Sequence, residues 1–170
     1  MNKKLQPIVQ ALQKDLDAQV DEFRDEVHVS VAPEHILVAC QMLRDKFDFE
    51  LLSTLTAVDY WPEENPRFHV IYQLTSVSRG LSLMLRVPLA GMMPVLPTMT
   101  VVYQNANWRE RELWDMFGIR FTGHPDLRRI LMPSDWEGYP LRKDYPLGYE
   151  EPQFTFNFEE IDLRKPYAKG

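Results

Sequence analysis

Residues 68–87 read FHVIYQLTSVSRGLSLMLRV. Phe68, Val70, Tyr72 and Leu74 alternate with polar or smaller residues, and so do Leu81, Leu83, Leu85 and Val87, the period of strands with one face on a core. Between them SVSRG supplies a turn. Upstream, Leu51 to Tyr60 carries a third strand pattern, set off from Phe68 by the turn-forming PEENP at 62–66. The three segments predict an antiparallel meander.

Working outward, VHVSV alternates strictly from Val27 to Val31. A helix opening near Pro33 and Glu34 buries Ile36, Cys40, Leu43 and Phe47 on one side, and a right-handed crossover through it places 27–31 parallel to a neighbouring strand. Leu5, Ile8, Val9, Leu12, Leu16, Val20 and Phe23 recur at spacings of three and four, predicting a first helix of about five turns. The fold class is therefore α+β: two layers, helices packed on a mixed, mostly antiparallel sheet of about four strands, plus an extended C-terminal arm. Residues 1–90 form the α+β domain. Residues 91–131 add a loop, a helix that Thr98 or Thr100 can cap, and a following strand. In 132–170, Pro133, Pro140, Pro146 and Pro152 prevent a long helix and leave an extended arm.

Composition excludes several functions. With 19 basic against 25 acidic residues the net charge is -6, which argues against a nucleic-acid partner. A single cysteine, Cys40, excludes a disulfide framework and multi-cysteine metal or iron-sulfur sites, and on its helix stripe it reads as an inert core thiol. The longest apolar run, about five residues near ILVAC, is far short of the roughly 18 to 20 that span a bilayer. The first residues do not read as a secretory signal, so a soluble chain is expected, and the single cysteine fits a reducing compartment. The short chain without a transit peptide suggests a bacterial source, although an organelle-encoded chain would look similar. No dinucleotide, phosphate-loop or nucleophile-elbow motif occurs. Met92 and Met93 read as packing.

The remaining signal is the segment ERELWDMFGIRFTGHPDLRRILM at 110–132, followed by DWEGYPLRKDYPLG at 135–148. Glu110, Leu113, Trp114 and Phe117 share one helix face, and Gly118 is placed to end the helix as a left-handed cap. A carboxylate at the edge of that stripe needs a partner, and Arg128, Arg129, Arg142 and Lys143 are the candidates. On the alternative reading Glu110, Glu112 and Asp115 form a solvated face, with Arg111 and Asp115 an ordinary exposed pair. Trp108, Trp114 and Trp136 amid these charges have the composition of an interface. Glu110, Asp115, His124 and Asp126 lack the spacing of a metal site, and His124 reads as a structural residue of the turn TGHPD.

These two stretches resemble the signature of the thirty-kilodalton subunit family of respiratory complex I, known in bacteria as the C subunit of NADH-quinone oxidoreductase. The resemblance rests on Glu110-Arg111-Glu112, Asp115, Phe117-Gly118, the run His124 to Arg129 and Gly138-x-Pro140-Leu141-Arg142-Lys143-Asp144. It extends weakly to TAVDY at 56–60 and RFHVIYQL at 67–74. At 97–98 Pro-Thr stands where the family more often has Pro-Ser.

The resemblance implies a subunit that itself binds no flavin, iron-sulfur cluster, quinone or metal and carries no catalytic residue. It implies a place in the peripheral arm, on the cytoplasmic face of the inner membrane, beside the quinone-site (49 kDa-type) subunit and the small subunit with the terminal iron-sulfur cluster. Glu110, Arg111, Glu112, Asp115, His124, Arg128, Arg129, Asp135, Trp136, Arg142, Lys143 and Asp144 are then the docking residues and structural ion pairs. On this reading Glu110→Ala, Arg142→Ala or Asp144→Ala would lower the amount of assembled complex and leave the isolated domain folded. Phe154, Phe156 and Phe158 suggest a tail strand, either docking or internal. The competing functions are the equivalent subunit of a membrane-bound, energy-converting hydrogenase and a stand-alone acid/base enzyme using Glu110 and Asp115.

Overall fold

The structure is a computed structural model, described over residues 4–24 and 26–146. Helix α1 spans Gln6–Leu16, strand β1 Gln19–Phe23, β2 Glu26–Ser30, α2 Ile36–Phe47, β3 Leu51–Asp59, β4 Phe68–Ser76, β5 Leu81–Leu89, β6 Val95–Pro97, α3 Ala106–Phe117 and β7 Arg120–Thr122. The main sheet has the order β1-β2-β5-β4-β3. Strands β3, β4 and β5 form the antiparallel meander, and β2 joins β5 in parallel through Val29↔Leu85. A separate parallel pair, β6 and β7, places Leu96 beside Phe121.

Alternation explains the layers. Val70, Tyr72 and Leu74 on β4 and Leu83, Leu85 and Val87 on β5 are all buried on the helix side, with Ile8 and Leu12 of α1, Ile36, Cys40 and Leu43 of α2 and Leu113 of α3 packed over them. Each such side chain contributes roughly 1.5–3 kcal/mol of burial. Cys40 lies within this core as a free thiol. Among the described residues no helix covers the other sheet face, and its alternate positions, such as His69, Ile71, Met84 and Arg86, are half-buried.

Three expectations need correction. The first helix does not run to Phe23: Asp17 turns left-handed at φ 52, its N–H closes on the Leu12 carbonyl, and the chain reverses into β1. Val20 and Phe23 match the helical spacing but are strand residues, paired with Val29 and Glu26. The main sheet consequently has five strands, and β6 and β7 make a second. Neither Thr98 nor Thr100 caps α3; Asn105 occupies that position without a side-chain cap bond and donates instead to the Leu52 carbonyl at 2.8 Å.

Gly118 ends α3 at φ 74 and faces a second constraint, because a Cβ there would lie 2.5 Å from Arg142 Nη2 and 2.6 Å from the Tyr139 ring. The arm crosses α3 at this point. Residues 123–146 form no helix or strand and lie back on α3 and the end of the sheet, with the Leu141 N–H donating to the Met116 carbonyl at 3.1 Å. The tail aromatics Phe154, Phe156 and Phe158 lie outside the described residues.

Candidate docking interface

Helix α3 carries two fully buried carboxylates five residues apart, and they face different neighbours. Glu110 points at the segment after β6, where Thr98 Oγ1 donates to it at 2.6 Å and the Met99 N–H at 2.5 Å. The predicted arginine or lysine partner is absent among the described residues: the basic group beside Glu110 is His124, whose Nε2 lies 4.0 Å away. That imidazole accepts the Asp126 N–H at Nδ1, so the proton sits on Nε2, 3.2 Å from the Asn107 carbonyl. His124 thus holds its turn against the start of α3, the role its place in TGHPD suggests.

Burial raises the Glu110 carboxyl from 4.5 to about 7, against the opposing pull of Thr98 and Met99. Between those values the folded protein retains a proton that the unfolded chain has released, so stability declines as pH rises through this window and levels off above it. Glu110→Gln keeps one oxygen to accept the Met99 N–H, turns an NH2 donor to the Thr98 hydroxyl oxygen, and removes the charge. Urea denaturation at about pH 5 and about pH 8 should show the variant gaining on the order of 2 kcal/mol over the wild type at the higher pH. A pH-independent difference between the two proteins would contradict the assignment.

Asp115 sits on the other side of α3 and gathers the arm. Its Oδ2 accepts the N–H groups of Ile130, Leu131 and Met132 at 3.0, 2.8 and 2.9 Å, and its Oδ1 accepts Arg129 Nη1 at 2.6 Å. Burial alone would raise its pKa, but the Met132 amide, Arg129 and the other two amides outweigh it and hold the carboxyl below 3.8. Arg129 then donates from Nη2 to the Trp136 carbonyl at 2.8 Å and the Gly138 carbonyl at 3.3 Å, and lies over the Trp114 and Tyr139 rings. One arginine therefore ties the Trp136 and Gly138 main chain to Asp115 of the helix. The exposed Arg111–Asp115 pair does not form, and Arg111 instead donates to the Arg128 and Arg129 carbonyls at 3.1 and 3.2 Å.

A second knot closes the end of the arm. Arg67, with no exposed surface, donates to Asp59 at 3.0 and 3.1 Å and to Asp144 at 2.6 and 3.0 Å, while Lys143 contributes its main-chain N–H to Asp59 at 2.9 Å. Arg142 beside it finds carbonyls rather than acids, Phe117 at 2.6 Å and Met92 at 2.8 Å, with its guanidinium 4.5 Å from the Tyr139 ring centre. Burial, and then the neighbouring Arg67 charge, lower its pKa.

The remaining candidates lie outward. Arg128 makes an exposed pair with Asp126 at 2.9 Å, and Glu112 an exposed contact with Arg109 at 3.5 Å; such pairs contribute about 0–1 kcal/mol. The Asp135 and Lys143 side chains are exposed, and Trp136 is half-buried. Glu110, Arg142 and Asp144 make their bonds inside the chain, so the expectation that alanine there would spare the isolated domain is withdrawn. Glu110 and Asp115 also share no cleft in which to act as an acid/base pair.

Sequence reasoning missed Asp59 and Arg67. They end β3 and precede β4, where charges normally mark solvent. The available signal was geometric: Asp59 pairs with Phe68, which sets Arg67 beside it across the turn, two opposite charges at one corner of a hairpin.

Residues 29–151 match the family model described as the respiratory-chain NADH dehydrogenase 30 Kd subunit. The NADH-quinone oxidoreductase C subunit of Roseiflexus sp. (strain RS-1) is 49% identical over 150 residues, covering 87% of this chain and 86% of that relative. Its counterpart in Geobacter sulfurreducens is 45% identical over 128 residues, covering 75% and 79%. Among solved structures, the trypsin-resistant fragment (1-134) of Nqo5 superposes with a TM-score of 0.66 at 28% identity, over 73% of this chain and 99% of the fragment. A chain of the archaeal membrane-bound sulfane sulfur reductase shares the fold, with a TM-score of 0.75 at 22% identity over 99% and 97%.

Proposed function

The chain belongs to the family of the 30 Kd subunit of respiratory-chain NADH dehydrogenase, and we propose that it serves such an oxidoreductase as a docking subunit rather than as a redox or acid/base centre. On this reading the folded body holds out an arm that clasps the quinone-site subunit and the subunit of the terminal cluster, and cofactors stay with those partners. The chain lies at the cytoplasmic face of a bacterial membrane, held by its neighbours; among the described residues no helix is long and apolar enough to cross one.

One observation carries the reading: three charges of the arm are spent inside the fold while large apolar side chains beside them stay outside. Arg129, Arg142 and Asp144 are spent on α3, the loop before β6 and β4, while Leu131 and Leu141 remain 61% and 54% exposed, and Trp108 at the start of α3 60%. Exposed aromatic and aliphatic anchors around a rigid polar scaffold are what a partner's pockets bind, and the best of them contribute about 2 kcal/mol or more each. The double variant Leu131→Asp/Leu141→Asp removes anchors without touching the internal bonds. It should fold as the wild type does by circular dichroism yet co-purify with the complex at about a tenth of the wild-type level or less. Wild-type recovery of complex and of quinone reductase activity would refute the proposal.

The hydrogenase-type alternative draws only on a shared fold, whereas the relatives at 45 to 49% identity belong to NADH-quinone oxidoreductases.

A further inference from the structure

On the sheet face that no described helix covers, Arg86 reaches back over Tyr60. Its Nη2 donates to the phenol oxygen and its guanidinium carbon lies 5.6 Å from the ring centre. The same ring packs against His69, centroid to centroid 4.8 Å at 59°. Two polar atoms here are shut off from solvent and unpartnered among the described residues: Arg86 Nε and His69 Nδ1. The other arginines among the described residues leave no such buried gap. Arg67, Arg79 and Arg129 each lie against an aspartate within 4.0 Å, whereas no carboxylate of the described residues comes that close to Arg86. Glu63 acts on His69 only through space. Stranding a buried donor costs roughly 1–3 kcal/mol, so the Arg86 Nε–H, with the unpartnered His69 ring nitrogen near it, describes a place built for an acceptor that the described chain does not supply.

We infer that Tyr60, His69 and Arg86 form a receptor for a carboxylate, an Asp or Glu side chain of a neighbouring subunit that lies over this sheet face. A planar, acceptor-only anion suits a guanidinium edge next to an imidazole N–H. Burial, and then Arg86, hold His69 below 6.5, so the ring is neutral, and its tautomer with the proton on Nδ1 donates to such a group. A polypeptide is favoured over a free anion because an ion pair on a half-exposed arginine contributes little unless a surface excludes water around it. Ser30 and Ile71, in register on either side of Arg86, supply the half-buried floor for that surface. The inference rests on the chain being a subunit of an assembly, but it assigns a contact separate from the arm.

The test uses the assembled complex with p-benzoylphenylalanine in place of Ile71 and photo-crosslinking read by mass spectrometry. The expected product joins Ile71 to a peptide of another subunit that contains Asp or Glu. Arg86→Gln should then raise the dissociation constant of the subunit about tenfold, Arg86→Lys less, and Arg86→Glu should be rescued by an arginine at the crosslinked acid. Crosslinks confined to solvent quenching, to residues 147–170 of the same chain, or to a peptide without a carboxylate would overturn it, as would wild-type affinity of Arg86→Gln. If the Leu131/Leu141 variant still loses its complex in that event, the docking arm stands and only this receptor falls.

Discussion

Replacing Arg67 by methionine should cost the isolated protein about 3 to 5 kcal/mol, read as a lower urea midpoint. The cause is electrostatic. Asp59 is 4% exposed, and although burial pushes its carboxyl up, Arg67 and the N–H groups of Lys143 and Trp61 together hold it below 3.8. Methionine fills much of the volume and leaves that charge without its cation. Asp144 loses its anchor as well, so the end of the arm should detach while the sheet survives. Arg67→Met/Asp59→Asn removes both buried charges and should recover part of the loss, because the penalty comes from the stranded ion rather than from the absent pair. A single variant as stable as the wild type would show that the pair contributes nothing.

Asp115→Ala should release the other half of the arm. Four donors converge on that carboxylate, three of them main-chain N–H groups of Ile130, Leu131 and Met132. A loss of about 3 to 5 kcal/mol is expected, with Asp115→Asn between the two because one oxygen remains to accept. Trypsin should cut after Arg128 and Arg129 in the alanine variant under conditions that spare the wild type. The pH dependence follows the same bond: the stability that Asp115 supplies is complete above 3.8 and is lost as the pH falls through its lowered folded value, a loss absent from the alanine variant. Equal trypsin resistance in both proteins would contradict the clasp.

Much of the fold was legible because β4 and β5 keep an unbroken two-residue period with one face on a core, and because Gly118 stops α3 where only glycine is comfortable. The junction of α1 and β1 was not. Leu16, Val20 and Phe23 keep a helical spacing while the chain turns at Asp17, a left-handed residue with no glycine to announce it. The family was readable from the charged motif, but the pairing inside that motif was not. Glu110 finds Thr98 and Met99 because β6 pairs with β7 and brings that loop over α3, a tertiary arrangement that no local period encodes. Asp59 and Arg67 escaped notice for the same reason: charge at strand ends reads as solvent until the arm is laid over it.

A charged segment that grips its own body presents a ready-made apolar surface to a partner, and amide hydrogen exchange of the isolated chain can tell whether the grip exists beforehand. The N–H groups of Ile130, Leu131 and Met132 should already be protected before any partner is added, and that protection should disappear in Asp115→Ala. Exchange of these three amides at the rate of an unfolded peptide in the free chain, with protection arising only in the complex, would contradict it.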